Sequence, residues 1–211
     1  DVKEAEASGP AADGLEITVR ENVCESVENQ QKQSLAITLY DNGRKGSATT
    51  SDFSDEALKK TVKAAKIIAA HGESDKYAGL IKKSYLCDEF KELGLDNPWP
   101  VETEQLIDLA KQVESVGLSK ATAKQQSDGV TISKSRGSRA YATTDGFNQA
   151  YCATQNSISS IMIASDTSGK MQKGYYYSSN RDPELLESAD HIGAMAATRT
   201  EQKLGAKKIS T

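Results

Sequence analysis

Two alternating runs joined by Asn42-Gly43 fix one part of the architecture at once. Both residues of an Asn-Gly pair accept positive φ, so the run Ser34–Tyr40 and the run Arg44–Thr50 are expected to form a β-hairpin. The return run is small and polar (Gly46, Ser47, Ala48, Thr49). That composition suits either a sheet edge or a place where another backbone comes close. Directly afterwards the period changes from two to 3.6. Ser54 is placed to cap a helix with Asp55 and Glu56 in its first turn, Leu58, Val62, Ala65 and Ala69 along one face, and Gly72 at its end.

The rest of the chain extends this hairpin-then-helix order. Asp1 to Ala12 reads as the tail of a helix, and Leu15, Ile17 and Val19 alternate as in a half-buried strand. Glu73 to Pro100 is irregular, closed by Asn97-Pro98-Trp99-Pro100. A second helix is expected from Glu102 to Val116, with a stripe of Leu106, Leu109, Ala110 and Val113 and an end before Gly117. From Lys120 onward short strands are expected: one holding Val130 and Ile132, then Ser138–Thr143, Phe147–Ala153, Ser157–Ser165 and Met171–Ser178. Turns at Asp145-Gly146 and Ser168-Gly169 make this a meander of four or five strands. Asp182, with Pro183 at N1, opens a last helix running toward Leu204-Gly205. The fold class is α+β: antiparallel hairpin and meander sheets with two to four packed helices.

At 211 residues the chain suffices for one well-packed domain, or for two lobes at about 1–100 and 101–211. A net charge of -4 and no aromatic-lined basic stripe argue against direct nucleic-acid binding. The basic spots Lys82-Lys83 and Lys207-Lys208 read as solvated faces. No apolar run reaches membrane-spanning length and no signal peptide opens the sequence, so the expected compartment is the cytoplasm. Cys24, Cys87 and Cys152 have no metal-ligand spacing and are expected to be reduced, partly buried thiols.

No motif for catalysis stands in the sequence. The two histidines, His71 and His191, lie 120 positions apart, so no zinc-peptidase helix can use both. His71 falls in the last turn of a helix, where the dipole favours it. Glu187 and His191 are one turn apart and read as a surface pair. There is no G-x-S-x-G, no Walker loop and no G-x-G-x-x-G. Tyrosine is concentrated in the meander. Tyr141, Tyr151, Tyr175 and Tyr177 are candidates for peptide or partner contact, since tyrosine joins an apolar face to a polar tip. The plain alternative is that aromatics favour strands; period two sends Tyr175 and Tyr177 to one face and Tyr176 to the other.

The segments Asn42-Gly43-Arg44-Lys45-Gly46-Ser47-Ala48, Gly146-Phe147-Asn148-Gln149-Ala150-Tyr151-Cys152-Ala153-Thr154, Ser157-Ile158-Ser159-Ser160 and Leu204-Gly205-Ala206-Lys207-Lys208-Ile209-Ser210-Thr211 together resemble the amino-terminal region of the TldD/PmbA family, in its PmbA (TldE) branch. The resemblance spans nearly the whole chain. It implies that residues 1–211 form the amino-terminal region, with a β-rich carboxy-terminal domain outside this chain. It also implies a cytoplasmic protein that pairs with a TldD-type subunit, or forms a homodimer without one, and acts on unfolded peptides. In the family TldD carries zinc on an H-E-x-x-x-H helix; this sequence has no such segment, so zinc is expected in the partner subunit and none in this region. No catalytic or metal residue carries over. Where the family has an additional β-hairpin, the sequence passes directly from Val19-Arg20 to Glu21-Asn22, so that hairpin is expected to be missing.

The expected function is therefore a non-catalytic subunit region of a zinc peptidase complex. The alternatives are an active metallopeptidase whose ligands lie beyond residue 211, and a peptide-binding adaptor using an exposed strand edge. Older names in the family refer to modulation of DNA gyrase.

Overall fold

The computed structural model describes residues 4–87, 89 and 91–206. It is an α+β fold of seven strands and three helices among those residues: β1 (Glu4–Arg20), β2 (Val23–Gln33), β3 (Leu35–Asp41), β4 (Arg44–Thr50), α1 (Asp55–His71), α2 (Thr103–Lys120), β5 (Gln125–Thr143), β6 (Asn148–Ser165), β7 (Met171–Asn180) and α3 (Ala189–Glu201). The hydrogen-bonded strand order is β4-β3-β1-β5-β6-β7, with β2 also paired to β1. The chain divides into two units. The first takes residues up to Asp13, Gln31–Gly94 and Gly137–Ala153; the second takes Gly14–Gln30, Leu95–Arg136 and Thr154 onward. Long strands β1, β2, β5 and β6 therefore each give one end to each unit.

In the first unit the Asn42-Gly43 turn joins β3 to β4, with φ of 49° and 72°. Ser54 accepts a hydrogen bond from the Ala57 N–H and caps α1, and Gly72 follows its last turn. The buried face of α1 is Thr61, Ala65 and Ala69, smaller than the expected stripe, and Val62 is exposed. Gly46 explains the difference. A Cβ there would sit 2.9 Å from the Ala69 Cα, and closer still to the Ala65 carbonyl and the Ala69 N–H. The helix backbone lies directly on β4, so only small side chains fit beneath it. Both readings of the small polar run hold, because β4 is also the first strand of the order.

The second unit has the larger core. Ile17 and Val19 from β1, Val130 and Ile132 from β5, and Ile158 from β6 meet Leu106, Ala110 and Val113 of α2 and Ile192 of α3. Fully burying each large aliphatic side chain contributes about 1.5–3 kcal/mol. A reciprocal capping box between Glu102 and Gln105 starts α2.

Several expectations change. Residues 4–12 are strand and not the tail of a helix (residues 1–3 lie outside the described set). Pairing of Glu4–Ser8 with Tyr40–Ala36 outweighs the helix preference of the alanines, and Gly9-Pro10 opposes a helix anyway. The hairpin expected to be missing near residue 20 is present: β1 turns into β2 through Glu21 and Asn22, at φ 53° and 62°. Strand β2 lacks clear alternation because it is mostly exposed. The meander has three long strands, not four or five. β5 continues through Gly137, which fits closely against Ala11 and Ala12. β6 continues through Thr154 and Asn156, whose side chains both donate to the Arg181 carbonyl, at 2.9 and 2.8 Å. Gly117 does not end α2; it is buried within it. The last helix is two pieces. Asp182 caps only a short 3-10 turn, Pro183–Leu185, and Ser188 caps α3 by accepting from the His191 N–H.

The β1–β2 turn is held by a buried charge. Glu114, 2% exposed on α2, accepts the Glu21 N–H at 2.9 Å and the Asn22 N–H at 2.6 Å. Neither residue is glycine, so the left-handed backbone needs such support. Glu114→Ala is expected to lower unfolding free energy by roughly 2–3 kcal/mol, since it strands two N–H donors that had a charged acceptor. Urea denaturation of parent and variant measures this; a change within about 0.5 kcal/mol would contradict the role.

Candidate functional site

Within the second unit, β7, α3 and the residues just ahead of α3 bring four polar groups to one place. Period two on β7 directs Tyr176 toward the core, opposite Tyr175 and Tyr177. Its hydroxyl donates to Glu187 Oε1 at 3.2 Å, and Glu187 Oε2 lies 3.5 Å from His191 Nε2. The His191 ring meets the Tyr176 ring edge-on at 5.5 Å. The Arg199 guanidinium lies 4.4 Å from the Tyr176 ring centroid. The hydrogen bond to Glu187, then desolvation, hold the Tyr176 hydroxyl above its ordinary pKa. The expected Glu187–His191 pair is thus present, with Glu187 just ahead of the helix. Sequence reasoning set Tyr176 aside and had no signal for Arg199, whose partner is on a different element.

The tyrosines named from sequence fall in different settings. Tyr175 and Tyr177 stack, with ring centroids 6.4 Å apart, and are 56% and 57% exposed. Tyr151 is exposed in the first unit. Tyr141 is partly buried there, and its hydroxyl donates to Glu6 Oε2 at 2.5 Å while the Tyr40 hydroxyl donates to Glu6 Oε1 at 3.0 Å. Burial first, and the Glu6 hydrogen bond second, push Tyr40 up to about 12 and Tyr141 higher. Of the cysteines only Cys24 is partly buried; Cys87 and Cys152 are exposed, which corrects the expectation for those two. Cys87 lies in the irregular stretch after α1, where its Sγ donates to the Glu89 carbonyl, and Cys152 lies in the exposed opening of β6, residues 148–152.

Three kinds of comparison bear on identity. Residues 96–204, just over half the chain, match the PmbA/TldA metallopeptidase central domain, and residues 5–69 match PmbA/TldA metallopeptidase domain 1. The chain belongs to the PmbA/TldD family. Among curated PmbA/TldD relatives, the metalloprotease PmbA of Escherichia coli O157:H7 is 32% identical over 207 residues, covering 98% of this chain and 46% of that protein. A metalloprotease PmbA homolog of Haemophilus influenzae is 28% identical over the same shares. The chain therefore spans a little under half the length of these relatives. A Bacteroides thetaiotaomicron protein described as a proposed modulator of DNA gyrase has the same fold, with a TM-score of 0.85 at 21% identity over 99% of this chain and 47% of its own. TldE from Thermococcus kodakarensis also shares it, with a TM-score of 0.74 at 14% identity over 95% and 44%.

The family name implies a metal, and the donor set among the described residues does not suit one. Among the described residues no three His, Cys, Asp or Glu side chains gather closely enough to hold an ion. His71 belongs to the first unit and His191 to the second. No helix among the described residues is long and apolar enough to cross a membrane.

The tyrosine pair on Glu6 gives a pH signature for the PmbA/TldD amino-terminal fold. A tyrosine whose folded pKa lies above the unfolded value of 10.0 adds stability that is complete below that value and is lost as pH rises through the folded one. Alkaline titration followed by tyrosinate absorbance is expected to show Tyr40 and Tyr141 among the tyrosines that ionise after the exposed ones. In Glu6→Gln both move downward only part of the way, because burial remains. Identical titration curves for parent and variant would remove Glu6 from the account.

Proposed function

We propose that this chain is a non-catalytic region of a PmbA/TldD-type zinc peptidase complex, shaping the assembly while a TldD-type subunit carries the metal and hydrolyses unfolded peptides. One observation carries the reading: the described residues of a chain from a metallopeptidase family offer no three-ligand group for a metal. A catalytic zinc needs three protein ligands and an open position. The pair Glu187–His191 supplies at most two donors, and Tyr176 already occupies one Glu187 oxygen. In this reading the exposed Tyr151, Tyr175 and Tyr177 contribute apolar area with polar tips to a partner or peptide contact, and Tyr141 steadies the unit behind it through Glu6. The complex works in the cytoplasm and has no use for direct DNA contact, in keeping with 26 basic against 30 acidic residues.

The test uses the intact protein that carries this chain, alone and mixed with a TldD-type partner. Hydrolysis of an unfolded peptide and bound zinc are measured on each sample. Activity is expected only in the mixture, with zinc tracking the partner. Stoichiometric zinc and hydrolysis in the protein alone would overturn the assignment.

A further inference from the structure

We propose that the cleft beside β7 and α3 binds a carboxylate group, with Arg199 as its anchor. The inference rests on this cleft alone and not on the non-catalytic reading above. The cleft has a volume of about 450 Å³ and is lined by Tyr176, Tyr177, Asn180, Leu185, Glu187 and Arg199, together with Ser178 and Ser179.

Arg199 is held and yet unsatisfied. Its guanidinium carbon lies over the Tyr176 ring, 4.4 Å from the centroid, and this cation–π contact holds the group at the cleft. Among the described residues it has no hydrogen-bond acceptor and no ion-pair partner. The carboxylate that shares the cleft, Glu187, is committed elsewhere, to the Tyr176 hydroxyl and to His191. The serines are committed as well: Ser178 Oγ accepts the Glu187 N–H at 3.0 Å, and Ser179 Oγ lies between Gln155 Nε2 and the Asn156 carbonyl. Asn180 is different. Its Oδ1 accepts the Asp182 N–H at 3.1 Å, and this orients the side-chain amide and leaves the NH2 group as a second donor.

A planar fork with an adjacent amide donor suits a planar, singly charged acceptor. Phosphate carries more negative charge and would meet stronger repulsion from Glu187, whose charge stays in the cleft. A carboxylate meets less. Two sources share that chemistry: the carboxy-terminus of a peptide, and an Asp or Glu side chain within one.

Calorimetry separates them, using the intact protein with a chelator present to suppress cleavage. Three acetylated hexapeptides serve as probes: one without acidic residues and with a free carboxy-terminus, its terminal amide, and that amide with one internal Glu. At least one carboxylate-bearing peptide is expected to bind about tenfold or more tightly than the uncharged amide. Whichever gains identifies the source. Arg199→Ala is expected to abolish the gain, and Arg199→Lys to weaken it, since an ammonium keeps the charge without the fork. Circular dichroism establishes that both variants are folded. Equal binding of all three peptides, no binding by any, or a gain that survives Arg199→Ala would overturn the proposal.

Discussion

Close backbone contact through glycine sets the positions of the helices, and the remaining geometry follows from it. In the second unit Gly193 of α3 lies against α2: a Cβ there would fall 2.8 Å from the Gly117 N–H and nearer still to the Val113 carbonyl. On the other side of α3, a Cβ on Gly174 of β7 would fall 2.7 Å from the Thr200 N–H and Cα. Helix α3 is therefore clasped between α2 and β7 at less than the spacing that ordinary side chains permit. Thr200, fully buried, completes the fit by donating to the Ala196 carbonyl. In the first unit Gly46 does for α1 what these glycines do for α3. Arg199, next to Thr200 on α3, lies over the Tyr176 ring of the same strand that Thr200 meets at Gly174.

Buried or half-buried carboxylates then hold the loops that these contacts leave free. Glu114 takes the N–H groups of the β1–β2 turn. Glu201, at the end of α3, accepts from the Thr122 and Ala123 N–H groups, the Thr122 hydroxyl and the Gln125 amide, and so ties down the segment between α2 and β5. Those bonds, led by the Ala123 N–H, hold its pKa below the usual carboxylate value. The contribution is present above the unfolded carboxylate pKa and is lost as pH falls through the folded one. Each carboxylate binds two backbone N–H groups, and Glu201 binds two side chains besides.

Local signals in the sequence were readable because their causes are local. Asn42-Gly43 forms its turn through the φ preference of two residues, and Ser54 caps α1 within three residues of itself. The α+β class followed from the same signals. What the sequence hid depends on distant partners. The alanines before Pro10 become strand only because β3 supplies their hydrogen bonds, and β2 carries no alternation because most of it is exposed. Gly117 looked like a helix stop, and only the approach of α3 makes it a packing site. The same limit governs the cleft. The Glu187–His191 spacing was legible, but the Arg199–Tyr176 stack joins residues 23 positions apart through tertiary contact.

The central claim is that glycine contact places α3, and with it the Tyr176–Arg199 cluster. Gly193→Ala tests it most directly, by urea denaturation alongside near-ultraviolet circular dichroism of the tyrosines. A methyl pressed into the α2 backbone is expected to cost about 1–3 kcal/mol and to alter the tyrosine signal as α3 shifts from β7. Unchanged stability, within about 0.5 kcal/mol, and an unchanged tyrosine spectrum would show that α3 is placed by something else.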